Sequence, residues 1–325
     1  MKPTFWDSFR GWVIATELLL VLTLFALFYN FYLPLGTQNK SLYFDDTDLS
    51  NTLRTLQRHG YDINDIDYLI APLFISPKTG WYRIVSQTPG GRLGFFTSLF
   101  ARPARTMQLY IYGGDATEDI LTRLASDTKL PLVTLQNAAK ALNIQEGDIL
   151  AGRYTVARDT DAYGLLDALL RMSHHRVVQT FRKHGWQLPE PYARRILFTV
   201  ASIIQKETRH TDEMPLIASV IYNRLAEGMK LQMDGTLNYG PYSHVPVTPE
   251  RIRTDMSRFN TYRYKGLPPA VVGAFSPEAL EAAIYPATTD YLFFMLQRNG
   301  KHHFSTTYQE HMRYLKSYRK KHKKR

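Results

Sequence analysis

The stretch "WVIATELLLVLTLFALFYNFYL", Trp12 to Leu33, constrains this chain more than any other part of it. A run this apolar, with one charge, Glu17, in its first turns, must either bury itself or lie in lipid. As a helix rising about 1.5 Å per residue it spans roughly 30 Å, the thickness of a bilayer's hydrocarbon core. Trp6, Phe9 and Trp12 stand at its start and Tyr29, Phe31 and Tyr32 near its end, where interfacial aromatic belts sit. Lys2 and Arg10 flank the start, which orients the N-terminus to the cytoplasm and exports the rest. "FYNFYLPLG" offers no small-residue cleavage site, so the run reads as a retained anchor rather than a signal peptide. Residues 1–11 are therefore expected to be a cytoplasmic N-terminus, 12–33 a transmembrane anchor and 34–41 a short linker. No later stretch is long and apolar enough to span again.

The exported part opens with two segments that echo each other at a period of about 70 residues. "LYFDDTDLSNTLRTLQRHG" from Leu42 is answered by "LYIYGGDATEDILTRLASD" from Leu109, "GWYRI" from Gly80 by "GRYTV" from Gly152, and "RLGFFTSLF" from Arg92 by "AYGLLDALL" from Ala162. Each copy reads as a strand, a capped turn, two amphipathic helices, a strand and a further helix. The copies are placed at about 42–105 and 106–173, within one block, 42–173. Neither holds a nucleophile, a base pair or a metal spacing. A spacer role and glycan binding remain equal alternatives for them.

The formal charge is +11, from 40 Lys and Arg against 29 Asp and Glu. Much of the excess lies in the C-terminal "KSYRKKHKKR", so residues 319–325 read as a basic tail, solvated or drawn to an anionic surface. The remainder is only mildly basic, and no nucleic-acid partner is expected. There is no cysteine, which removes disulfides and thiolate metal sites from consideration.

Chemistry concentrates in residues 174–318. A helix from about His174 to Gly185 leads to "QLPEPYARRILF", where Pro189 and Pro191 mark a boundary. On a helical wheel of "YARRILFTVASIIQKET", Ile196, Val200, Ile203, Ile204 and Glu207 share one arc, with Gln205 on the flank and Lys206 on the far side. A carboxyl against an apolar face loses solvation, and its pKa should rise toward that of a general acid near neutral pH. The plainer alternative is a helix-end Glu reaching to water or paired with Arg209 or Arg224. In the next helix, Asn223 lies along an apolar stripe and needs partners from the protein or from a ligand. "GMKLQMDGTLNYG", "FNTYRYKGLPP" and "GKHHFSTTYQEH" follow, dense in Asp, Asn, Thr, Tyr and His, a mixture suited to a sugar cleft. His302 and His303 have no neighbour at a zinc spacing, so neither metal nor cofactor is expected.

At these residues the chain resembles the endolytic murein transglycosylase, or YceG-like, family. The resemblance covers roughly residues 192–311 and rests on "ASIIQKET", "ASVIYNRL", "GMKLQMDGTLNYG", "NTYRYKGLPP", "PATTDYLFF" and "GKHHFSTTYQEH" in that order. It implies an α+β chain: one N-terminal transmembrane helix, duplicated LysM-like units and an α+β YceG-like catalytic domain. It implies that Glu207 is the catalytic acid. Asn223, Arg224, Gln232, Asp234, Thr236, Tyr239, Asn260, Tyr262, His302 and Phe304 are then the substrate-binding candidates. The reaction it implies cleaves the β-1,4 bond between N-acetylmuramic acid and N-acetylglucosamine within nascent strands and leaves 1,6-anhydromuramoyl ends. The implied partners are peptidoglycan strands, the bacterial cell membrane and the peptidoglycan synthases.

Three positions depart from the family pattern. Gln205 replaces an acidic residue, the usual "DPT" reads Asp234, Gly235, Thr236, and "AFSPEAL" follows where Pro-Gly is usual after "GLPP". These departures motivate the alternative of a non-catalytic wall-binding scaffold with the same fold. A hydrolysing muramidase, which differs only in its products, is the third reading.

Overall fold

The computed structural model describes residues 5–33, 35–36 and 39–322. The chain divides into two compact units: unit 1 is Met1–Met107 with Val156–Leu165, and unit 2 is Gln108–Thr155 with Leu166–Arg325. The architecture mixes helices with short two-stranded sheets, an α+β arrangement.

Unit 1 begins with α1, Phe5–Phe31, of which Phe9–Phe31 is long and apolar enough to cross a membrane. It is the one such helix among the described residues. From Phe9 to Phe28 its side chains are exposed, and among those described Tyr29 is the first to be buried. After it come β1 (Lys40–Phe44), α2 (Leu49–Arg58), α3 (Asp65–Ile70), a 3₁₀ turn (Ala71–Leu73), β2 (Gly80–Ile84) and α4 (Gly91–Ser98). β1 and β2 pair antiparallel with Leu42 opposite Tyr82. Leu42, Phe44, Leu53, Leu56, Ile84, Phe95 and Phe96 close the core between that strand pair and helices α2 and α4. Asp48 starts α2, its carboxylate accepting from the Ser50 and Asn51 amides at 2.6 and 3.2 Å, which satisfies amide donors that a helix N-terminus otherwise leaves unpaired.

A buried ion pair ties α3, α4 and the end of α1 together. The Asp67 and Arg92 side chains are both fully buried. Arg92 Nε donates to Asp67 Oδ1 at 2.7 Å, and a second bond joins Arg92 Nη2 to Asp67 Oδ2 at 2.5 Å. The Tyr29 hydroxyl donates to the same carboxylate, and the guanidinium lies 5.4 Å from the Tyr29 ring centre. One turn of chemistry therefore fixes where α1 meets unit 1.

β3 (Thr106–Ile111) and β4 (Gly152–Ala157), both mostly in unit 2, pair with each other, with α5 (Thr117–Thr128) and α6 (Leu132–Ala141) between them in sequence. The order strand, helix, helix, strand, helix thus occurs twice in the chain. α7, Ala162–Lys183, runs unbroken past residue 174. The remainder is α8 (Pro191–Glu207), α9 (Met214–Ala226), α10 (Pro249–Thr254), α11 (Pro277–Ile284), β5 (Phe293–Leu296), β6 (His302–Ser305) and α12 (Tyr308–His322). Val200, Ile203 and Ile204 of α8 are fully buried against α9 and α11, as the wheel requires. Ile196 is not: it is 38% exposed, because the first two turns of α8 lie outside the core and burial begins at Phe198.

The basic tail also differs from a solvated coil. α12 continues through Arg319 and Lys320 to His322, and residues 323–325 lie outside the described residues. Aromatic residues on one side of α12 give the helix something to pack on. Tyr314 stacks on His303 at 3.5 Å between ring centres, and the Tyr318 hydroxyl accepts from the Arg298 amide at 2.6 Å.

Candidate active site

Glu207 is the last residue of α8. Its carboxyl is half-buried and lines a cleft of about 1200 Å³. Burial raises its pKa from 4.5 to about 7, the nearby Asp234 carboxylate adds to the rise, and the Gly235 amide and the Arg224 charge oppose it. The Gly235 N–H donates to Glu207 Oε1 at 3.1 Å. A proline at that position, as in the usual family pattern, has no N–H to give. Gly235 is also required by space, since a Cβ there would stand 2.6 Å from the Lys206 Cβ and 3.1 Å from Glu207 Oε1.

Gln205 and Lys206, which the wheel puts on the flank and the far side of α8, are both partly buried. Gln205 Oε1 accepts from the Ser276 amide at 2.9 Å, and its amide group packs against Gly113, where a Cβ would meet it at 2.6 Å. Lys206 Nζ reaches the carbonyl and hydroxyl of Ser243, each at 3.3 Å, and burial lowers its pKa to about 8. The turn at Gly113–Asp115 wraps the helix end on that side. It is held by the Gly114 amide donating to the Ala274 carbonyl at 2.7 Å and the Ala274 amide donating to the Asp115 carbonyl at 2.7 Å. An isolated wheel cannot foresee a helix end packed from several directions.

None of the ten substrate-binding candidates lines that cleft, and Asp234, Arg224 and Tyr262 are the ones whose charges act on Glu207 or feel it. The Tyr262 hydroxyl donates to Asp234 Oδ1 at 2.7 Å. Burial, followed by that carboxylate, raises the phenol's pKa and keeps it a proton donor. Gln232 is exposed, in a left-handed backbone conformation at φ 50°.

The polar groups of Asn223, Arg224, Thr236, Asn260 and His302 are engaged by the protein. Asn223 donates to the carbonyls of Thr289 and Tyr291 at 2.7 and 3.0 Å. Arg224 is buried and donates to the Leu292 carbonyl at 2.6 Å and to the Leu231 carbonyl. Thr236 is bonded to Thr261 at 2.9 Å, and Asn260 donates to the carbonyls of Ile252 and Asp255 at 2.9 and 2.8 Å. His302 Nδ1 lies 2.9 Å from Glu213 Oε2, with both side chains buried, so this pair ties the β5–β6 hairpin to the start of α9. Tyr239 stacks on Phe259 at 3.9 Å, and Phe304 tilts against Tyr291 at 5.5 Å. These side chains hold the frame around Glu207.

The opposite wall of the cleft was not foreseen. It comes from β3, the residue after it and α5: Tyr110 and Tyr112, both about half-exposed with rings 4.7 Å apart, and Arg123, whose guanidinium lies 4.2 Å from the Tyr112 ring centre. Arg123 is paired with Asp115 at 3.0 Å. The signal available in the sequence was "YIY", two aromatic residues at strand spacing on one face. Sugar rings present C–H faces that pack on such a platform. Among the described residues no cluster of His, Asp and Glu is arranged to hold a metal ion.

Comparison with known proteins gives a consistent family. A family model described as the YceG-like family matches residues 47–317. A Bacillus subtilis (strain 168) protein named endolytic murein transglycosylase is 27% identical over 259 residues, covering 78% of this chain and 70% of that protein. A protein of the same name from Streptococcus pneumoniae serotype 2 (strain D39) is 28% identical over 177 residues, 52% of this chain and 31% of that protein. The crystal structure of a putative YceG-like protein from Listeria monocytogenes aligns with a TM-score of 0.53 at 24% identity, over 86% of this chain and 100% of that one, a likeness of fold.

Proposed function

The chain belongs to the YceG-like family, and from that premise we propose that it is a membrane-anchored endolytic lytic transglycosylase of peptidoglycan, with Glu207 as its acid and base. The observation that carries the proposal is the isolation of Glu207: a carboxyl raised to about 7, with one amide donor, lining a cleft of about 1200 Å³. Glycosidases that use water or a covalent intermediate place a second carboxylate about 5 Å or more from the acid. The carboxylate whose charge acts on Glu207, Asp234, accepts on Oδ1 from the Tyr262 hydroxyl.

A reaction in which the substrate supplies its own nucleophile does without that second group. Glu207 gives its proton to the oxygen that leaves C1 of N-acetylmuramic acid, and the glycosidic C1–O4 bond breaks. The C6 hydroxyl of the same sugar attacks C1, its O–H proton passes to the Glu207 carboxylate, and the C1–O6 bond closes the 1,6-anhydro ring. No water is consumed and the acid is regenerated. A pKa near neutral serves both half-steps, because neither protonation state is costly to reach. Holding C6 near C1 is a matter of positioning, for which the Tyr110 and Tyr112 platform and the Asp234–Tyr262 pair are the groups available.

The repeated strand and helix units are read as LysM-like modules. α1 is read as a single-pass anchor with its N-terminus in the cytoplasm, which places the site where nascent strands emerge and makes the synthases of those strands its natural partners. Mass analysis of glycan digested by the purified protein tests the reaction. Anhydro ends support it, reducing ends indicate hydrolysis, and intact strands indicate a scaffold.

A further inference from the structure

Outside α1 and Tyr32 directly after it, unit 1 exposes large apolar side chains at one place among the described residues: Leu69, Leu73 and Phe74 are 78%, 77% and 39% exposed. Side chains of the same kind elsewhere in the unit, Leu42, Leu53, Leu56, Phe95 and Phe96, are buried. All three exposed residues fall in or directly after α3 and its 3₁₀ turn, within "DIDYLIAPLF". Exposed apolar groups gathered in one short segment, rather than scattered, mark a contact surface.

What this segment is bonded to indicates what it meets. Asp67 of α3 accepts from the Tyr29 hydroxyl at the end of α1 and from Arg92 of α4. Asn30, next along α1, donates to the Gly90 carbonyl at 3.0 Å and accepts from the Leu93 amide at 2.9 Å. α1 and α4 also approach closely, since a Cβ on Gly91 would stand 2.3 Å from the Asn30 carbonyl oxygen. α3 and the start of α4 therefore flank the point at which the apolar face of α1 stops being free.

We propose that the segment Asp65–Phe74 is an interfacial foot, which seats Leu69, Leu73 and Phe74 in the headgroup layer of the bilayer that α1 crosses. The inference rests on the anchor reading of α1. A helix end held at Tyr29 and Asn30 cannot swivel freely under unit 1, and a second apolar contact beside it fixes the unit's tilt on the membrane. The occupant is lipid because the surface adjoins the helix exit, where any aqueous partner would compete with headgroups and acyl chains for the same side chains.

The absence of cysteine makes the test direct, since one introduced thiol carries one label. The full chain is reconstituted into phosphatidylethanolamine and phosphatidylglycerol vesicles as four variants, Leu20→Cys, Leu69→Cys, Leu73→Cys and Arg54→Cys, each labelled with bimane. Quenching by lipids brominated at shallow or deep acyl positions is compared with quenching by iodide from water. Leu20 should respond to deep bromine, Leu69 and Leu73 to shallow bromine, and Arg54, exposed on α2, to iodide alone. If Leu20 reports lipid while Leu69 and Leu73 match Arg54, the foot is overturned and the anchor stands. Shielding of Leu69 and Leu73 from both quenchers means a protein partner, and lipid quenching at Arg54 as strong as at Leu73 means unspecific contact; each overturns the foot. If Leu20 reports water, the anchor reading fails and takes the foot with it.

Discussion

The amide of Gly235 donates to Glu207 Oε1 at 3.1 Å, from a position where an added Cβ would collide with Lys206. This contact binds the Asp234–Leu237 turn to the end of α8 and works against the burial that raises the carboxyl's pKa.

If Glu207 is the acid, cleavage requires it protonated at the outset, and its pKa is about 7. The rate should therefore fall as pH rises through about 7, read from kcat/KM on purified glycan between pH 5 and 9. A rate that stays level to pH 9 would exclude this carboxyl as the acid.

The same shift carries a stability consequence of definite sign. A carboxyl whose pKa is raised in the fold is favoured protonated, so its stability contribution is complete below the unfolded value of 4.5 and is lost as pH rises through about 7. Glu207→Gln cannot ionise. At pH 8 it should be more stable than the parent, by up to about 3 kcal/mol for a shift of this size, and the difference should vanish at pH 4. Thermal unfolding of both proteins at the two pH values measures it.

Gly235→Ala places a methyl group within 2.6 Å of the Lys206 Cβ. Overpacking of this kind typically costs about 1–3 kcal/mol, and here it also moves the amide that bonds Glu207. The variant should lose both stability and rate, whereas a turn merely passing near the site would leave kcat unchanged.

Tyr112 supports the cleft wall with Arg123 stacked on it. If it packs on sugar, Tyr112→Ala should raise KM for glycan more than it lowers kcat. An equal fall in kcat with unchanged KM would assign it to the chemistry instead.

In unit 1, Asp67→Asn leaves the buried Arg92 charge without its counterion. Breaking such a pair typically costs about 3–5 kcal/mol, while replacing both partners with apolar residues of similar volume is far milder. Unfolding of the two variants in detergent separates these cases.

What the sequence made legible was local. The apolar run foretold α1, and Ile203, Ile204 and Glu207 foretold the inward end of α8. Asn223, Thr236, Asn260 and His302 showed that they needed partners, but a sequence does not say whether a partner is a sugar hydroxyl or the carbonyl of Thr289. The wall at Tyr110 and Tyr112 depends on the Gly113–Asp115 turn packing against Gln205 and Ala274, contacts between distant parts of the chain that no periodicity encodes. Ile196 was misplaced because a wheel assigns faces and not where along a helix the core begins.

The central claim, that Glu207 alone moves the proton in an intramolecular cleavage, is tested most directly by the glycan products of the parent and Glu207→Gln proteins, analysed by mass under identical conditions. The parent should release fragments ending in 1,6-anhydro sugar, and the variant should lose about 10²-fold or more in rate while folding normally. Anhydro products from Glu207→Gln at more than about a tenth of the parental rate, or reducing ends from the parent, would contradict it.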